Sequence, residues 1–194
     1  MGFAYDQVMA TLTILPEIET PHLVLREMQE SDVEDLTSFV TQARYQRYIS
    51  HKLRNDAEVR AFVRRHILAQ GDGRRRIYHL SAEETMSGEV VGDAFIIAHQ
   101  DASLEVGWGV HPALWRMGFG TEIGHALMAY CFERLKADHV WCKVMTANIA
   151  STRLARRIGM HQTGTQADYP VGQGRSEPVD IYALNADAYF EQPY

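Results

Sequence analysis

The amino-acid sequence predicts a single domain of the α/β (mixed α+β) class, and three observations lead to that prediction. The chain has 194 residues, 46% of them hydrophobic, which suffices for one sizeable core. Its first half contains a strand hairpin with a TMSG turn, and its second half runs strand, helix, strand, helix, strand. We therefore expect residues 19–194 to form a mixed, mostly antiparallel sheet of about seven strands flanked by helices, after an N-terminal extension of residues 1–18.

The elements of the first half follow from hydrophobic periodicity. HLVLREM alternates apolar and polar residues and predicts a strand, and Ser31-Asp32 then starts a helix that reaches Val40. A second helix starts at Asn55-Asp56, since apolar residues recur there at helical spacing up to QGDGRRR. RIYHLSAEE and EVVGDAFIIAHQ are strand-like, and Gly88 between them suits the turn of an antiparallel hairpin.

The second half alternates between the two types of element. SLEVGWGVHP predicts a strand that Pro112 ends, and a helix follows from Gly118 to Lys136. HVWCKVMT predicts a buried strand, and NIASTRLARRIGM predicts a short helix that stops at Gly159. HQTGTQ and VDIYAL predict two last strands around a long polar loop, residues 166–178.

Composition excludes several classes of protein. A formal net charge of -6 is opposite to the basic surface that a general nucleic-acid binder needs, so we expect no nucleic-acid partner. No apolar run is long enough to cross a bilayer, and the N-terminus lacks the pattern of a secretory signal. Two cysteines without CxxC spacing and histidines without HxxxH spacing predict a reducing, cytoplasmic location and no metal site.

Two glycines, Gly118 and Gly120, precede the long predicted helix in VHPALWRMGFGTEIGHAL. The first N–H groups of a helix lack partners and carry partial positive charge, so this turn is suited to an anion such as a pyrophosphate. Glycines before helices are also common in ordinary turns, and both interpretations stay open on this motif alone. The chain has no GxxxxGK string, and Ile123 occupies the third glycine position of a dinucleotide fingerprint, so neither ATP hydrolysis nor NAD chemistry is favoured.

The segment from LEVGWGVHPALWRMGFG to RIGMHQTG, residues 104–164, resembles the acetyl-CoA-binding core of the GNAT N-acetyltransferase superfamily, nearest the RimJ/RimL-like branch of ribosomal-protein N-acetyltransferases. ETPHLVLREMQESDVEDL and GEVVGDAFI resemble the first strand, first helix and hairpin of that branch. The resemblance implies a GNAT-like fold whose sheet is splayed at its central strands. It also implies an acetyl-CoA-dependent N-acetyltransferase with acetyl-CoA as cosubstrate.

The resemblance also implies which residues hold the coenzyme. The pyrophosphate would lie on the loop that opens with Trp115, where the family often has Gln or Arg, and the pantetheine arm would pair with a splayed strand. Gly107 and Gly109 suit a close approach of another backbone to that strand, although they also fit an ordinary bulge. The predicted coenzyme-binding residues are Trp108, Val110, Trp115, Arg116, Met117, Gly118, Phe119, Gly120, Thr121, Asn148 and Ser151.

Direct acetyl transfer needs a polarised carbonyl, a base and an exit for the thiolate, with no cysteine nucleophile. The Val110 amide is the candidate for polarising the carbonyl. Glu105 matches the family's EIGY glutamate and is the candidate base, while a structural carboxylate bonded to the next strand is the alternative. The tyrosine acid of many members is replaced here by Ala155, so Ser151 is the candidate acid, with a helix cap as its alternative.

The acceptor is predicted from amine chemistry. An α-amine has a pKa of about 7.7 to 8.0 against about 10.4 for lysine, so a site with a weak base suits a protein N-terminus, as the branch also implies. The segment QADYPVGQGRSEPVD, residues 166–180, would form the acceptor rim, with Asp168, Glu177 and Asp180 attracting a cation and Tyr169 packing against it, while a plain solvated connection is the alternative.

Other functions stay open at this point. A polyamine, amino sugar or antibiotic could be the acceptor, and a catalytically silent acyl-CoA-binding module would use the same turn. The partners expected are acetyl-CoA and an amine, with no membrane, and the chain could act as a monomer or a homodimer.

Overall fold

The structure is a computed structural model that describes residues 15–50, 52–172 and 174–191. Its centre is an eight-stranded sheet in the order β1-β2-β3-β4-β5-β6-β8-β7. The strands are β1 (Ile18–Glu19), β2 (Leu23–Glu27), β3 (Ile77–Glu84), β4 (Val90–Ala98), β5 (Leu104–Val110), β6 (His139–Met145), β7 (His161–Gly172) and β8 (Arg175–Asn185). Every neighbouring pair is antiparallel except β5 and β6, which are parallel. The predicted fold class is confirmed.

Six helices lie around this sheet in the described part of the chain. They are α1 (Val33–Val40), α2 (Ala43–Gln46), α3 (Asp56–Ala69), α4 (Phe119–Ala129), α5 (Ile149–Arg157) and α6 (Ala186–Glu191). The predicted start of α3 is confirmed, because the Asn55 side chain accepts from the Glu58 N–H at 3.0 Å and caps it. None of the helices in the described ranges has the length and hydropathy that crossing a membrane requires.

The helices cover both faces of the sheet and divide the interior into two apolar clusters. On one face α4 and α5 pack on the central strands around residues such as Ile96, Val106 and Ile123, each with at most 1% of its surface exposed. On the other face α1 and α3 enclose a smaller cluster that includes Phe39 and Val63, which are fully buried. The central strands are therefore covered by helices on both sides.

Two predicted boundaries differ from the structure. The sheet has eight strands because Ile18 and Glu19 pair with β2 as a short edge strand, so the last residue of the predicted extension already belongs to the sheet. Residues 1–14 of that extension lie outside the described residues. The predicted helix from Gly118 to Lys136 ends as α-helix at Ala129 and continues as a π-helical turn, Tyr130–Arg134.

The predicted long loop of residues 166–178 is wrong. β7 and β8 run through it as one long hairpin, from His161–Gly172 to Arg175–Asn185. The register of β7 shifts at three places, which interrupts the alternation of apolar and polar residues by which a strand is recognised. β7 is also the edge strand and is largely exposed, so it carries little apolar signal.

Candidate active site

Strands β5 and β6 separate at the centre of the sheet. β6 pairs with β5 only at two positions, Leu104 with Val140 and Glu105 with Trp141. β4 pairs with β5 along its whole length, from Leu104 to Val110. One edge of β5 is therefore open beyond Glu105, and we call this gap the strand opening.

The backbone groups of Trp108 and Val110 face the strand opening. The His111 N–H donates to the Val91 carbonyl of β4 at 2.8 Å. Consecutive residues of a strand direct their N–H and C=O groups to opposite edges, so Val110 and Trp108 direct theirs away from β4. The indole N–H of Trp115 donates to the Val110 carbonyl at 2.9 Å, which leaves the Val110 N–H as the group of that residue available in the opening.

The glycine turn, residues 115–121, connects β5 to α4. Gly118 is the residue before the helix, and its carbonyl accepts from the N–H groups of Thr121 and Glu122 at 2.9 and 3.0 Å. The Met117 N–H donates to the Leu114 carbonyl at 3.3 Å. The first N–H groups of a helix have no partner inside it, and here these belong to Phe119 and Gly120.

The two glycines of this turn are needed for different reasons. Gly118 has φ +100°, a left-handed conformation that other residues adopt at a cost, and a side chain there would meet nothing within 4 Å. A Cβ on Gly120 would lie 2.8 Å from a Leu154 methyl group, so this glycine lets α4 pack closely against α5. Only the first of them is required by the shape of the turn itself.

Asn148 and Ser151 lie at the start of α5, beside the strand opening. The Asn148 carbonyl oxygen accepts from the Ser151 N–H at 3.2 Å, and its amide nitrogen donates to Ser151 Oγ at 3.1 Å. Asn148 is thus the cap of the helix, and it fixes the position of the Ser151 hydroxyl. Ala155 of α5 is fully buried in the core.

Glu105 forms ion pairs at the point where β5 and β6 separate. Its carboxylate accepts from Lys143 Nζ of β6 at 3.2 and 3.4 Å and lies 3.1 Å from His99 Nε2. The side chain is nearly buried, with 8% of the residue exposed. Its contact with the neighbouring strand is the arrangement that a structural carboxylate would have, while its place in the opening keeps it beside the site.

A cavity of about 290 Å³ extends from the strand opening between the sheet and helices α1 to α3. We call it the central cavity. Its polar lining comes from several elements of the fold and includes Lys143 beside Glu105, together with Tyr45, His79, Asp93, Asn148 and Ser151. Most of the remaining wall is apolar or aromatic, including Leu36, Val40, Val59, Phe62 and Phe95. The opening and this cavity form one continuous space.

Burial shifts the pKa of several groups on this wall. It lowers the pKa of His79 to about 3, so the imidazole among Phe62, His66 and Phe95 is neutral at pH 7. It raises the pKa of the Cys142 thiol to about 12. A thiol that stays protonated is a poor nucleophile, so the cavity does not offer a reactive cysteine.

The structure brings together most of the residues that the sequence singled out. Trp108, Glu105, Asn148, Ser151 and Tyr169 all line the central cavity. The glycine turn follows β5 directly, so the coenzyme candidates are contiguous with these residues.

Three acidic candidates lie elsewhere on the β7–β8 hairpin. Asp168 and Glu177 are exposed and do not line the cavity. Asp180 is buried and accepts from Gln162 and Thr165 at 3.0 and 2.8 Å. Of the predicted rim, Tyr169 alone reaches the cavity, and Lys143 Nζ lies 5.2 Å from its ring centre.

Sequence reasoning missed the pair formed by Tyr45 and Asp93. The Tyr45 hydroxyl donates to Asp93 Oδ1, and both side chains line the cavity. They also explain Gly109, because a Cβ there would meet these two side chains, while a Cβ on Gly107 would meet the Phe95 ring. These side chains give both glycines a packing role, and the expectation that they admit another backbone stays a prediction. The sequence signal that could have identified Asp93 was its position as the single carboxylate inside the apolar strand VVGDAFIIA.

These features define a class of protein. An extended thioester arm needs backbone partners along an open strand edge, and a pyrophosphate needs free amides at a helix start. The strand opening and the glycine turn supply both in succession, and the central cavity supplies room for a second substrate. Acyl-coenzyme A transferases are the class that combines these three parts.

Comparisons with known proteins agree with this class. The model of the acetyltransferase (GNAT) domain family matches residues 22–161. The uncharacterized N-acetyltransferase YoaA of Bacillus subtilis is 24% identical over 173 residues, which cover 88% of this chain and 97% of that protein. The chain belongs to the GNAT acetyltransferase family, and it is an acetyl-CoA-dependent N-acetyltransferase.

Two solved structures have the same fold. A GNAT-family acetyltransferase from Bacillus anthracis superposes with a TM-score of 0.79 at 18% identity, covering 89% of this chain and 99% of that one. RimL, a ribosomal L7/L12 alpha-N-protein acetyltransferase in complex with coenzyme A, superposes with a TM-score of 0.74 at 21% identity, with the same coverage. The predicted resemblance to the RimL-containing branch is thereby confirmed at the level of fold.

Proposed function

We propose that the protein transfers an acetyl group directly from acetyl-CoA to a primary amine while both substrates are bound. The continuity between the strand opening and the central cavity is the observation that supports this, because it lets a thioester in the opening meet an amine in the cavity. The high pKa of Cys142 argues against an acetyl-enzyme on that thiol.

The coenzyme-binding residues in this proposal are those of the opening and the turn. The pyrophosphate is held by the N–H groups of Phe119 and Gly120. The other residues of the glycine turn, from Trp115 to Thr121, surround it. The pantetheine arm pairs with the backbone of Trp108 and Val110, and Asn148 holds its amide as well as capping α5. Arg116 is exposed and has φ +72°, so its side chain is free to approach phosphate from the outer side of the turn.

Two groups are proposed to act on the thioester. The Val110 N–H polarises the carbonyl oxygen, a role that depends on the backbone and not on the identity of the side chain. The Ser151 hydroxyl, whose oxygen accepts from Asn148, donates its own hydrogen toward the leaving sulfur. A thiol has a pKa near 8.5 and leaves reasonably well, so one hydroxyl is sufficient assistance.

Glu105 is the candidate base from the sequence, and its distance from Val110 requires that it act through bridging water. Glu105 is four residues before Gly109 on β5, which is about 13 Å of strand. A proton from an amine near Val110 would therefore reach Glu105 through bridging water, and the carboxylate would receive it while bound to Lys143 and His99.

The proposed acceptor is the α-amine of a protein N-terminus. Near neutral pH an α-amine is uncharged several hundred times more often than a lysine side chain, which suits a site without a tyrosine acid. A small-molecule amine is the second candidate, and the small volume of the cavity, about 290 Å³, is the observation that favours it. Asp168 and Tyr169 stay proposed rim contacts for either acceptor.

The test is release of free thiol from acetyl-CoA by the full chain, with N-terminal peptides and small amines as acceptors. We expect release that depends on the amine and saturates with it. Tight binding of acetyl-CoA without amine-dependent thiol release would identify a silent binding module and overturn the proposal.

A further inference from the structure

Asp93 lies directly beside the proposed reaction centre. In the antiparallel register of β4 and β5 it is opposite Gly109, the residue between Trp108 and Val110. A Cβ built on Gly109 would be 2.3 Å from Asp93 Oδ1 and 2.0 Å from Tyr45 Oη. The carboxylate and the phenol therefore lie across the backbone of β5, next to the two residues whose N–H groups face the strand opening.

The protein supplies Asp93 with a hydroxyl but with no positive charge. The Tyr45 hydroxyl donates to Oδ1, and within the described residues no Lys, Arg or His nitrogen lies within ion-pairing distance of this carboxylate. Burial raises its pKa, because removing the ionised form from water is unfavourable. Such a carboxylate is stabilised by a cation from outside, and it keeps a proton more readily than an exposed one.

Glu105 differs from Asp93 in both respects. Its charge is already neutralised by Lys143, and it lies about 13 Å further along β5. Asp93 lies closer to Val110 than Glu105 does. An ammonium group bound to Asp93 would therefore be closer to the thioester than one bound to Glu105. Charge and position thus both favour Asp93 as the partner of the acceptor.

The walls around Asp93 limit what the ammonium can be attached to. They are built from apolar and aromatic side chains, among them Leu36, Val40, Val59, Phe62 and Phe95. His79 on the same wall is neutral, since burial holds its pKa at about 3. A second ammonium group placed among these walls would find no free counter-charge, because Glu105, which also lines the cavity, is already paired with Lys143.

We propose that Asp93, oriented by Tyr45, binds the ammonium group of the acceptor and takes its proton, and that the acceptor is an amine with one positive charge on a compact apolar group. This inference rests on the proposed function. Two kinds of molecule carry such an amine: a peptide whose first residue is apolar, and a free apolar monoamine.

The proton balance of the transfer is complete with these groups. The bound ammonium gives one proton to Asp93, and its nitrogen then forms a bond to the acetyl carbon while the carbon–sulfur bond breaks. The sulfur leaves with the bonding electron pair and receives the second nitrogen-bound proton through Ser151. Asp93 returns its proton to solvent, so the products are the amide, the coenzyme thiol and one proton.

The experiment measures thiol release with isoamylamine, spermidine and two hexapeptides that begin with Leu or with Asp. For the full chain we expect kcat/KM with isoamylamine or the Leu peptide to exceed that with spermidine and the Asp peptide by about tenfold or more. A preference for the peptide over isoamylamine identifies a protein N-terminus, and the reverse preference identifies a free amine. A preference for spermidine or for the Asp peptide overturns the assigned acceptor class.

Asp93→Asn tests the carboxylate with little change in shape. We expect kcat/KM for the preferred amine to fall by about 100-fold, while the Kd for acetyl-CoA stays within about threefold. Glu105→Gln is expected to cause a smaller loss than Asp93→Asn, and Asp93→Glu to restore part of the activity. The matched control is Asp35→Asn, whose carboxylate accepts from the Val90 N–H at the edge of β4 outside the cavity lining, and it should keep wild-type kinetics.

The outcomes separate this inference from the proposed function. If the wild-type protein releases no thiol with any of these amines, the proposed function fails and this inference fails with it. If the wild-type protein is active and Asp93→Asn binds acetyl-CoA and keeps its kcat/KM, only the role of Asp93 is overturned. The same holds if Glu105→Gln loses more activity than Asp93→Asn.

Discussion

The glycine turn and the central cavity lie on either side of β5 and are built in different ways. The turn is one continuous stretch, residues 115–121, and it offers backbone amides whose positions depend on local conformation. The cavity takes its polar groups from α2, β3, β4, β5, β6, β7 and the start of α5, and each is placed by the packing of the whole domain. The proposed donor site is thus a property of a segment, and the proposed acceptor site is a property of the tertiary fold.

This difference predicts that the two sites can be damaged separately. A change on the cavity side of β5 should affect the amine and spare acetyl-CoA, and a change in the turn should have the opposite effect. The following variants test that separation, from the largest expected effect to the smallest.

Gly109→Ala places a methyl group where Tyr45 and Asp93 now lie. We expect kcat/KM for the amine to fall by about 100-fold, because the Tyr45 and Asp93 side chains must move away from Gly109. The Kd for acetyl-CoA should change by less than about threefold. Steady-state kinetics and calorimetry give the two values. The control is Gly164→Ala, whose new methyl group has its nearest neighbour, an Ile181 methyl group, at 4.0 Å. An equal loss of amine and coenzyme binding would show that the two sites are not separable.

Gly118→Ala tests the turn without a steric clash. The left-handed backbone at φ +100° costs an alanine about 1–2 kcal/mol, so we expect the Kd for acetyl-CoA to rise by about tenfold and the preference among amines to stay the same. Gly71→Ala is the matched control, because Gly71 has φ +79° and open space around it in a turn far along the chain from the site. It should lower stability by a similar amount and leave the Kd unchanged. A change in amine preference in Gly118→Ala would contradict the prediction.

Asn148→Ala removes the cap of α5 and the partner of Ser151. We expect a loss of about 1 kcal/mol in the free energy of unfolding together with a lower kcat. Asn55→Ala removes the equivalent cap of α3 and should lower stability by a similar amount with kcat unchanged. Urea denaturation and turnover are measured on both variants. Equal kcat values for the two would show that Asn148 acts on stability alone.

The buried histidines beside the cavity predict a dependence of stability on pH. Burial lowers the pKa of His66 to about 4 and of His79 to about 3, from about 6.5 in the unfolded chain, so the unfolded state binds more protons between these values. Their contribution is complete above pH 6.5 and is lost as the pH falls toward 4 and 3.

His79→Phe should therefore lose less stability than the wild-type protein between pH 7.5 and pH 4.5, measured as the urea midpoint. His161→Gln, at an exposed position, is the control and should follow the wild-type curve. A His79→Phe curve parallel to the wild-type curve would show that His79 does not contribute to this pH dependence.

The residues near the glycine turn could be predicted from the sequence, whereas those of the central cavity could not. Glu105, Trp108, Val110 and the glycine turn were singled out because they lie within one short segment that resembles the acetyl-CoA-binding core of the family, and the glycines before a helix also have a local physical meaning. Tyr45 and Asp93 are 48 positions apart, and they belong to a short helix and to a strand whose other residues are apolar. Their proximity depends on the register of β4 against β5 and on the packing of α2, which no local pattern contains.

The fold divides in a similar way. Strands and helices with strong periodicity, such as β4 and α3, were predicted with correct types, whereas the β7–β8 hairpin was taken for a loop because edge exposure and three register shifts remove the apolar alternation. The sequence alone determined the order of the elements and the glycine turn, since these depend on interactions between near neighbours in the chain. The tertiary structure decided the strand opening, the ion pair of Glu105 with Lys143 and the place of Asp93, because those depend on contacts between distant segments.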